Sequence, residues 1–106
     1  MINGSNNGLR EDSEEVNSIL GLISDKGELV LKNKKINVIP RAFYYFRFDK
    51  IQILDIWGNE IVKIEEEICM NLSFLKKLDA RNNQIKDISP HIKAMMCLTI
   101  LRLDHN

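Results

Sequence analysis

The chain has 106 residues, of which 44% are apolar and 28% are charged. These values are ordinary for one folded domain and argue against wholesale disorder. Fifteen basic residues balance fifteen acidic ones, so the chain lacks the positive field expected of a nucleic-acid or membrane-surface binder. No apolar run approaches membrane-spanning length, and the first residues lack a secretory signal pattern. We therefore expect an intracellular protein, cytoplasmic or nuclear, that does not engage a membrane.

The first 25 residues predict a flexible head followed by a helix. Residues 1–11 are rich in asparagine and glycine, which favours flexibility. Asp12 and Glu15 have the spacing of a capping box. An apolar stripe with helical spacing follows, made of Val16, Ile19, Leu20 and Ile23. We predict an amphipathic helix within residues 12–25 that covers the apolar end of the domain, with docking into a partner's groove as the alternative.

An apolar pattern then recurs through residues 26–106. It reads IQILDIWGNEIVKI in 51–64, LKKLDARNNQIKDI in 75–88 and LTILRLDHN in 98–106, with a poorer copy in 26–39. The strand leucines Leu29, Leu54, Leu78 and Leu101 are 25, 24 and 23 residues apart. A single unit of this length cannot bury its apolar side alone, so each must pack on the next.

This pattern and period resemble those of leucine-rich repeats, whose units have roughly 20–29 residues. The resemblance implies an α/β fold, a leucine-rich repeat solenoid with an N-terminal capping helix. Four repeats would occupy residues 26–106, the last one truncated, with short parallel strands on the concave face and helices or irregular turns on the convex face. The polar residues that follow the strands would form a structural ladder. They are Asn59, Asn83 and Asn106.

The convex side is predicted from the segments between strands. Ile64, Ile68, Leu72 and Leu75 have helical spacing, and the next coil repeats it with Ile88, Ile92, Met95 and Leu98. In the first coil the corresponding stretch is RAFYYFRF, over 41–48. We expect most of this aromatic run to be convex-side core, with a ligand site as the alternative.

The concave face is the candidate binding surface, because its outward positions alternate with buried leucines. Trp57 points out of the core, with Lys32 and Arg81 on neighbouring strands. Tryptophan and arginine are enriched at interface hot spots, although a stack of Trp57 with the two cations is the alternative. The predicted partner-binding residues are Trp57, Ile53, Asp55, Lys77, Asp79, Arg81, Lys32, Arg102 and Ile100. We expect a protein partner here.

Catalytic and cofactor motifs are not found in the sequence. It contains no phosphate loop, nucleophile elbow, paired ligand histidines or zinc spacing. We therefore expect no enzymatic activity from these residues, no cofactor, no metal and no small-molecule substrate. Cys69 and Cys97 are expected to be free thiols, buried or half-buried. Acidic residues among the cations of the concave face, Asp55, Asp79 and Asp104, disfavour nucleic acid.

The sequence stops at Asn106, within the fourth repeat, which would leave Leu101 and Leu103 in an uncovered edge strand. We expect this chain to be the N-terminal piece of a longer protein or a truncated gene product.

A second resemblance concerns the layout of the chain. A short head, the unit LVLKNKKINVIP, the connector AFYYF and the unit IQILDIWGNEIVKI resemble the N-terminal repeat domain of the carbon-catabolite-repressor type mRNA deadenylases. That resemblance implies a partner-binding domain within a larger enzyme, with repeats that hold a second deadenylase subunit and with catalysis beyond Asn106. Other repeat families share the same short consensus, among them the adenylate-cyclase, Ras-scaffold and phosphatase-regulatory types.

Overall fold

A computed structural model describes residues 13–106 of the protein. A helix, α1, covers residues 13–22. The elements that follow in chain order are β1 (Glu28–Val30), α2 (Ala42–Tyr45), β2 (Ile53–Asp55), β3 (Lys63–Ile64), α3 (Glu66–Asn71), β4 (Lys77–Asp79), β5 (Asp87–Ile88), a 3-10 helix (Pro90–Ala94) and β6 (Ile100–Arg102). Short strands thus alternate with short helical segments, as the repeat pattern predicts.

The strands form two parallel sheets. The larger has the order β1-β2-β4-β6, and the smaller pairs β3 with β5. In the larger sheet Leu29 is in register with Leu54, Leu54 with Leu78, and Leu78 with Leu101. The four strand leucines are therefore aligned in register, as their spacing implies.

The core runs along the stack of coils. Leu29, Leu54 and Leu78 are fully buried. The next layers are also buried and include Ile56, Ile61, Ile64, Ile68, Leu72 and Leu75. Each coil buries its apolar side against its neighbours, which is the main source of stability in such stacks. Leu101 occupies the equivalent position in the fourth strand but is 39% exposed.

The predicted asparagine ladder is present. Asn59 Oδ1 accepts hydrogen bonds from the Lys34 and Ile36 amides at 2.9 and 3.1 Å, and its Nδ2 donates to the Leu31 and Ile56 carbonyls at 2.8 and 2.9 Å. One side chain therefore joins two successive coils where the chain leaves each strand. These backbone groups turn away from the sheet and would otherwise be buried without partners.

Helix α1 covers the first coil, with Ile19 4% exposed and Val16 and Ile23 packed against the core. The prediction that Leu20 belongs to the buried stripe is wrong, since it is 44% exposed. Within residues 13–22 only Ile19 is buried, so the helix contacts the first coil through few of its side chains.

Glu15 connects α1 to α2. Its carboxylate accepts a hydrogen bond from the Ala42 amide, in the first turn of α2, where Arg41 supplies no side-chain cap. First-turn amides lack helical partners, and a carboxylate is favoured there by the helix dipole. Asp12, the other half of the predicted capping box, lies outside the described residues.

The convex side follows the predicted helical spacing with one difference. Helix α3 is α-helical, whereas the next coil forms a 3-10 helix with Pro90 in its first turn. Proline is tolerated there because the first amides of a helix have no partners. Ser89 caps this helix, accepting a hydrogen bond from the His91 amide at 3.2 Å.

The aromatic connector is only partly core. Phe43 and Phe48 are buried and meet edge to face, with ring centroids 5.0 Å apart. Tyr44 is half-buried, but Tyr45 and Phe46 are 63% and 36% exposed. The expectation that most of the run is core is therefore too broad, because the short helix α2 turns only part of it inward.

Within residues 13–106, no helix has the length and apolar character needed to cross a membrane.

The ladder predicts different costs for two chemically equivalent substitutions. Asn83→Ala removes a side chain that is 8% exposed and bonds the Ile61 amide and the Ile56 and Ala80 carbonyls. We expect a loss of roughly 2 kcal/mol or more in the free energy of unfolding, since the orphaned groups remain buried.

Asn106→Ala is the matched control. Asn106 makes the same type of bonds, to the Ile85 amide and the Ala80 and Leu103 carbonyls, but is itself exposed. Water can replace its amide, so urea denaturation should show a loss below about 1 kcal/mol. Equal losses for the two variants would contradict this account of the ladder.

Candidate functional site

The outward face of the four-stranded sheet, termed the sheet face below, consists of three rows of side chains. The strand register aligns Glu28, Ile53, Lys77 and Ile100 in one row and Val30, Asp55, Asp79 and Arg102 in the next. Backbone hydrogen bonds continue the alignment into the third row, Lys32, Trp57, Arg81 and Asp104. The predicted rows are therefore brought together as the sequence spacing implies.

The first row is the most apolar part of the sheet face. Ile53 is half-buried, Ile100 is 43% exposed, and Lys77 lies between them, also half-buried. Val30 at the edge of the second row is 43% exposed. Apolar groups remain in contact with solvent here because the residues on either side of them in sequence fill the core.

Asp55 and Asp79, which the sequence predicts to contact a partner, are not presented at the surface of the second row. They are 8% and 4% exposed, because each carboxylate is used internally. Asp55 Oδ1 accepts from the Trp57 amide at 3.1 Å, and Asp79 Oδ1 accepts from the Arg81 amide at 3.3 Å. An aspartate that bonds the backbone two residues later stabilises a turn. Most of each carboxylate is therefore unavailable to a partner.

Cations complete these two carboxylate sites. Arg81 donates two hydrogen bonds to Asp79, from Nε to Oδ1 at 2.9 Å and from Nη2 to Oδ2 at 2.7 Å. This is the paired geometry typical of a guanidinium and a carboxylate. The hydrogen bonds from Arg81 hold the pKa of Asp79 below its usual range and raise the pKa of Arg81. Lys32 Nζ lies 3.5 Å from Asp55 Oδ2.

Trp57 is therefore flanked by cations that already have carboxylate partners. Its side chain is half-buried in the third row. Among residues 13–106, the cation–π contact that the structure shows joins Arg41 and Tyr45, at 5.5 Å, so the predicted stack of Trp57 with Lys32 and Arg81 is not found. The indole remains a surface group on a rigid platform.

A left-handed backbone residue precedes every ladder position, a regularity that sequence analysis missed. Gly58, Asn82 and His105 precede the three ladder asparagines, and in the first coil Asn33 precedes Lys34 at the equivalent position; φ lies between 53° and 71°. Asparagine and glycine adopt this conformation at little cost, so the recurrence of Asn and Gly before the ladder asparagine was the available signal. Directly after Trp57 this residue is Gly58, which adopts the left-handed conformation without strain.

The shape of the sheet face indicates the kind of ligand it suits. Within the described part of the chain, no group of three or more His, Cys, Asp or Glu side chains is placed to hold a metal ion. Two cavities, of about 530 and 490 Å³, lie elsewhere, beside α1 and on the convex side. The sheet face is broad and studded with half-exposed side chains, a shape that fits a macromolecular surface better than an enclosed small molecule.

Parallel strands in register, joined by an asparagine ladder, define an α/β repeat protein. A family model described as leucine rich repeat matches residues 49–106, more than half of the chain, and the chain belongs to the leucine-rich repeat family. Domains of this family generally mediate protein–protein interaction and are typically not catalytic.

The other comparisons add no relatives. No curated protein and no solved structure shows significant similarity to the chain. The match is to the general repeat, and nothing in it supports the resemblance to mRNA deadenylases.

Gly58 gives a direct test of the turn after Trp57. A Cβ at Gly58 would collide with Asn33 Oδ1, and its φ of 71° strains any L residue. We expect Gly58→Ala to lower the free energy of unfolding by roughly 1–3 kcal/mol.

Gly21→Ala is the control, because Gly21 lies in helix α1 with nothing within 4 Å of the added Cβ. It should stabilise by about 0.5–1 kcal/mol through helix propensity. Thermal or urea melts of both variants measure the contrast, and a neutral Gly58→Ala would refute the steric account.

The Arg81–Asp79 pair predicts acid sensitivity. The folded-state pKa of Asp79 lies below its ordinary 3.8, so its contribution to stability is complete above that value and is lost as pH falls through the lowered folded pKa. Asp79→Asn should be less stable than wild type at pH 7, and the difference should shrink as pH drops below 3.8. Urea denaturation between pH 7 and pH 2 gives the two curves; parallel curves would contradict the prediction.

Proposed function

We propose that the chain is a protein-interaction module that holds a protein partner on its sheet face, the concave surface of a leucine-rich repeat solenoid, with Trp57 at the centre. The observation that carries this proposal is the placement of Trp57. It lies half-exposed in the third row, beside cations already neutralised by Asp55 and Asp79. Within residues 13–106 the indole makes no side-chain hydrogen bond, aromatic contact or cation–π contact.

The hydrogen-bonded turn that holds Trp57 supports this function. Trp57 follows a turn fixed by Asp55 and precedes Gly58, whose left-handed backbone leads into the buried Asn59. Binding then costs little backbone ordering, which is a large part of the cost of association. A large aromatic group on a preorganised surface is typical of an interface hot spot.

The chemistry of the face indicates what the partner presents. Ile53, Ile100 and Val30 offer apolar contact, while Lys77 and Arg102 add cations for which the structure shows no ion pair among the described residues. Asp55 and Asp79 are already paired with Lys32 and Arg81, and Glu28 and Asp104 balance the charges of Lys77 and Arg102. The face therefore favours a partner with an apolar surface that carries charges of both signs. Complementary charge would guide association and orientation more than it would raise affinity.

Trp57→Ala tests the proposal. We expect it to weaken partner binding about 30-fold or more, which corresponds to roughly 2 kcal/mol for a hot-spot residue. A pull-down from native extract compares the wild-type chain with the variant, after circular dichroism shows equal folding. Any protein that is captured by wild type and lost by the variant is then purified and titrated.

Tyr45→Ala is the matched control, because Tyr45 is an exposed aromatic residue on the convex side. It should bind the partner as wild type does. Trp57 is the single tryptophan, so its emission reports directly on the face and should shift to shorter wavelength when the purified partner covers it. Unchanged affinity of Trp57→Ala together with unchanged emission would overturn the proposal.

A further inference from the structure

A cavity of about 490 Å³ lies on the convex side, between α3 and the 3-10 helix that follows it in the stack. Five of its nine lining residues carry sulfur: Cys69, Met70, Met95, Met96 and Cys97. The chain has two cysteines and four methionines, of which Met1 lies outside the described residues. Every sulfur-bearing side chain within residues 13–106 therefore lines this one cavity.

The sulfur atoms are arranged from the core outward. Cys69 and Met95 are 7% and 6% exposed and form the wall next to the core. Cys97 is half-buried, and Met70 and Met96 are 56% and 94% exposed at the mouth. Both cysteines are free thiols. A small ion entering from solvent would meet flexible thioethers first and thiols deeper in the cavity.

This donor set is selective. Thiolate and thioether sulfur are soft ligands that favour Cu(I), whereas structural zinc takes four thiolate, imidazole or carboxylate ligands. No group of three or more such residues is placed for a metal within the described residues. His91 also lines the cavity, but its ring nitrogens already lie 3.2 Å from Ser89 Oγ and 3.6 Å from Glu66 Oε1.

We propose that the cavity binds one soft, thiophilic metal ion of the Cu(I) type, held by the Cys69 and Cys97 thiolates with methionine thioether sulfur completing the coordination. This site is separate from the sheet face, and its occupancy does not depend on a protein partner. When Cu(I) binds, each thiol releases one proton to solvent, one Cu–S bond forms per thiolate, and no electron is transferred.

The test is an anaerobic titration of the reduced 106-residue chain with Cu(I), in competition with the chelator bicinchoninate. Wild type should take up one equivalent from the chelator. The double variant Cys69→Ala/Cys97→Ala should bind at least about 100-fold more weakly, given that losing even an outer-shell partner costs 10–100-fold. Phe74→Leu, which changes a lining residue without sulfur, should bind as wild type does.

X-ray absorption at the copper edge supplies an independent readout. We expect a first shell of sulfur alone; a nitrogen or oxygen shell would overturn the assignment. So would failure of wild type to compete with the chelator, or equal affinity of the double variant. If the double variant loses its circular dichroism spectrum, Cys97→Ala alone replaces it, since Cys97 is only half-buried, and a loss of at least about 10-fold is then expected.

Discussion

The structure depends on one interaction, the asparagine side chain that satisfies the backbone where each coil leaves its strand. Asn59 and Asn83 each bond backbone groups of two successive coils from a nearly buried position. Without them the turn could not be packed so closely, because unpaired amides and carbonyls would lie in a dry interior. A residue with left-handed backbone conformation precedes each asparagine and completes the turn. The repeated turns therefore set the spacing of the side chains on the sheet face.

Much of the fold follows from sequence because the period of the strand leucines is preserved. Leu29, Leu54, Leu78 and Leu101 fix the register of four strands, and that register is observed. For a segment that is not repeated along the chain, such as helix α1, the apolar pattern predicts burial less well. Helical spacing suggested that Leu20 faces inward, but the single coil under α1 is too narrow to bury it. The 3-10 form of Pro90–Ala94 was likewise hidden, since apolar spacing of three and four residues suits both kinds of helix.

The candidate site was predictable in position but not in chemistry. Alternation along each strand placed Trp57, Ile53 and Lys77 on the sheet face, as the structure has them. It could not show that Asp55 and Asp79 turn back onto their own backbone, because that choice depends on competition between solvent and nearby amides. The spacing Asp-x-Trp and Asp-x-Arg was the one available clue. Nor could sequence show that two cysteines and three methionines from two segments surround one cavity, since that depends on how adjacent coils stack.

Site-specific photo-crosslinking can show whether the proposed protein partner lies on the sheet face. Benzoylphenylalanine placed at Lys77, between Ile53 and Ile100 in the first row of the face, should form a covalent adduct with the partner on irradiation. The same probe at Val62, which is 48% exposed and outside the three rows, should form none. Adducts from Lys77 alone are the predicted result. Adducts from Val62 with none from Lys77 would show that the partner binds elsewhere and would contradict the account.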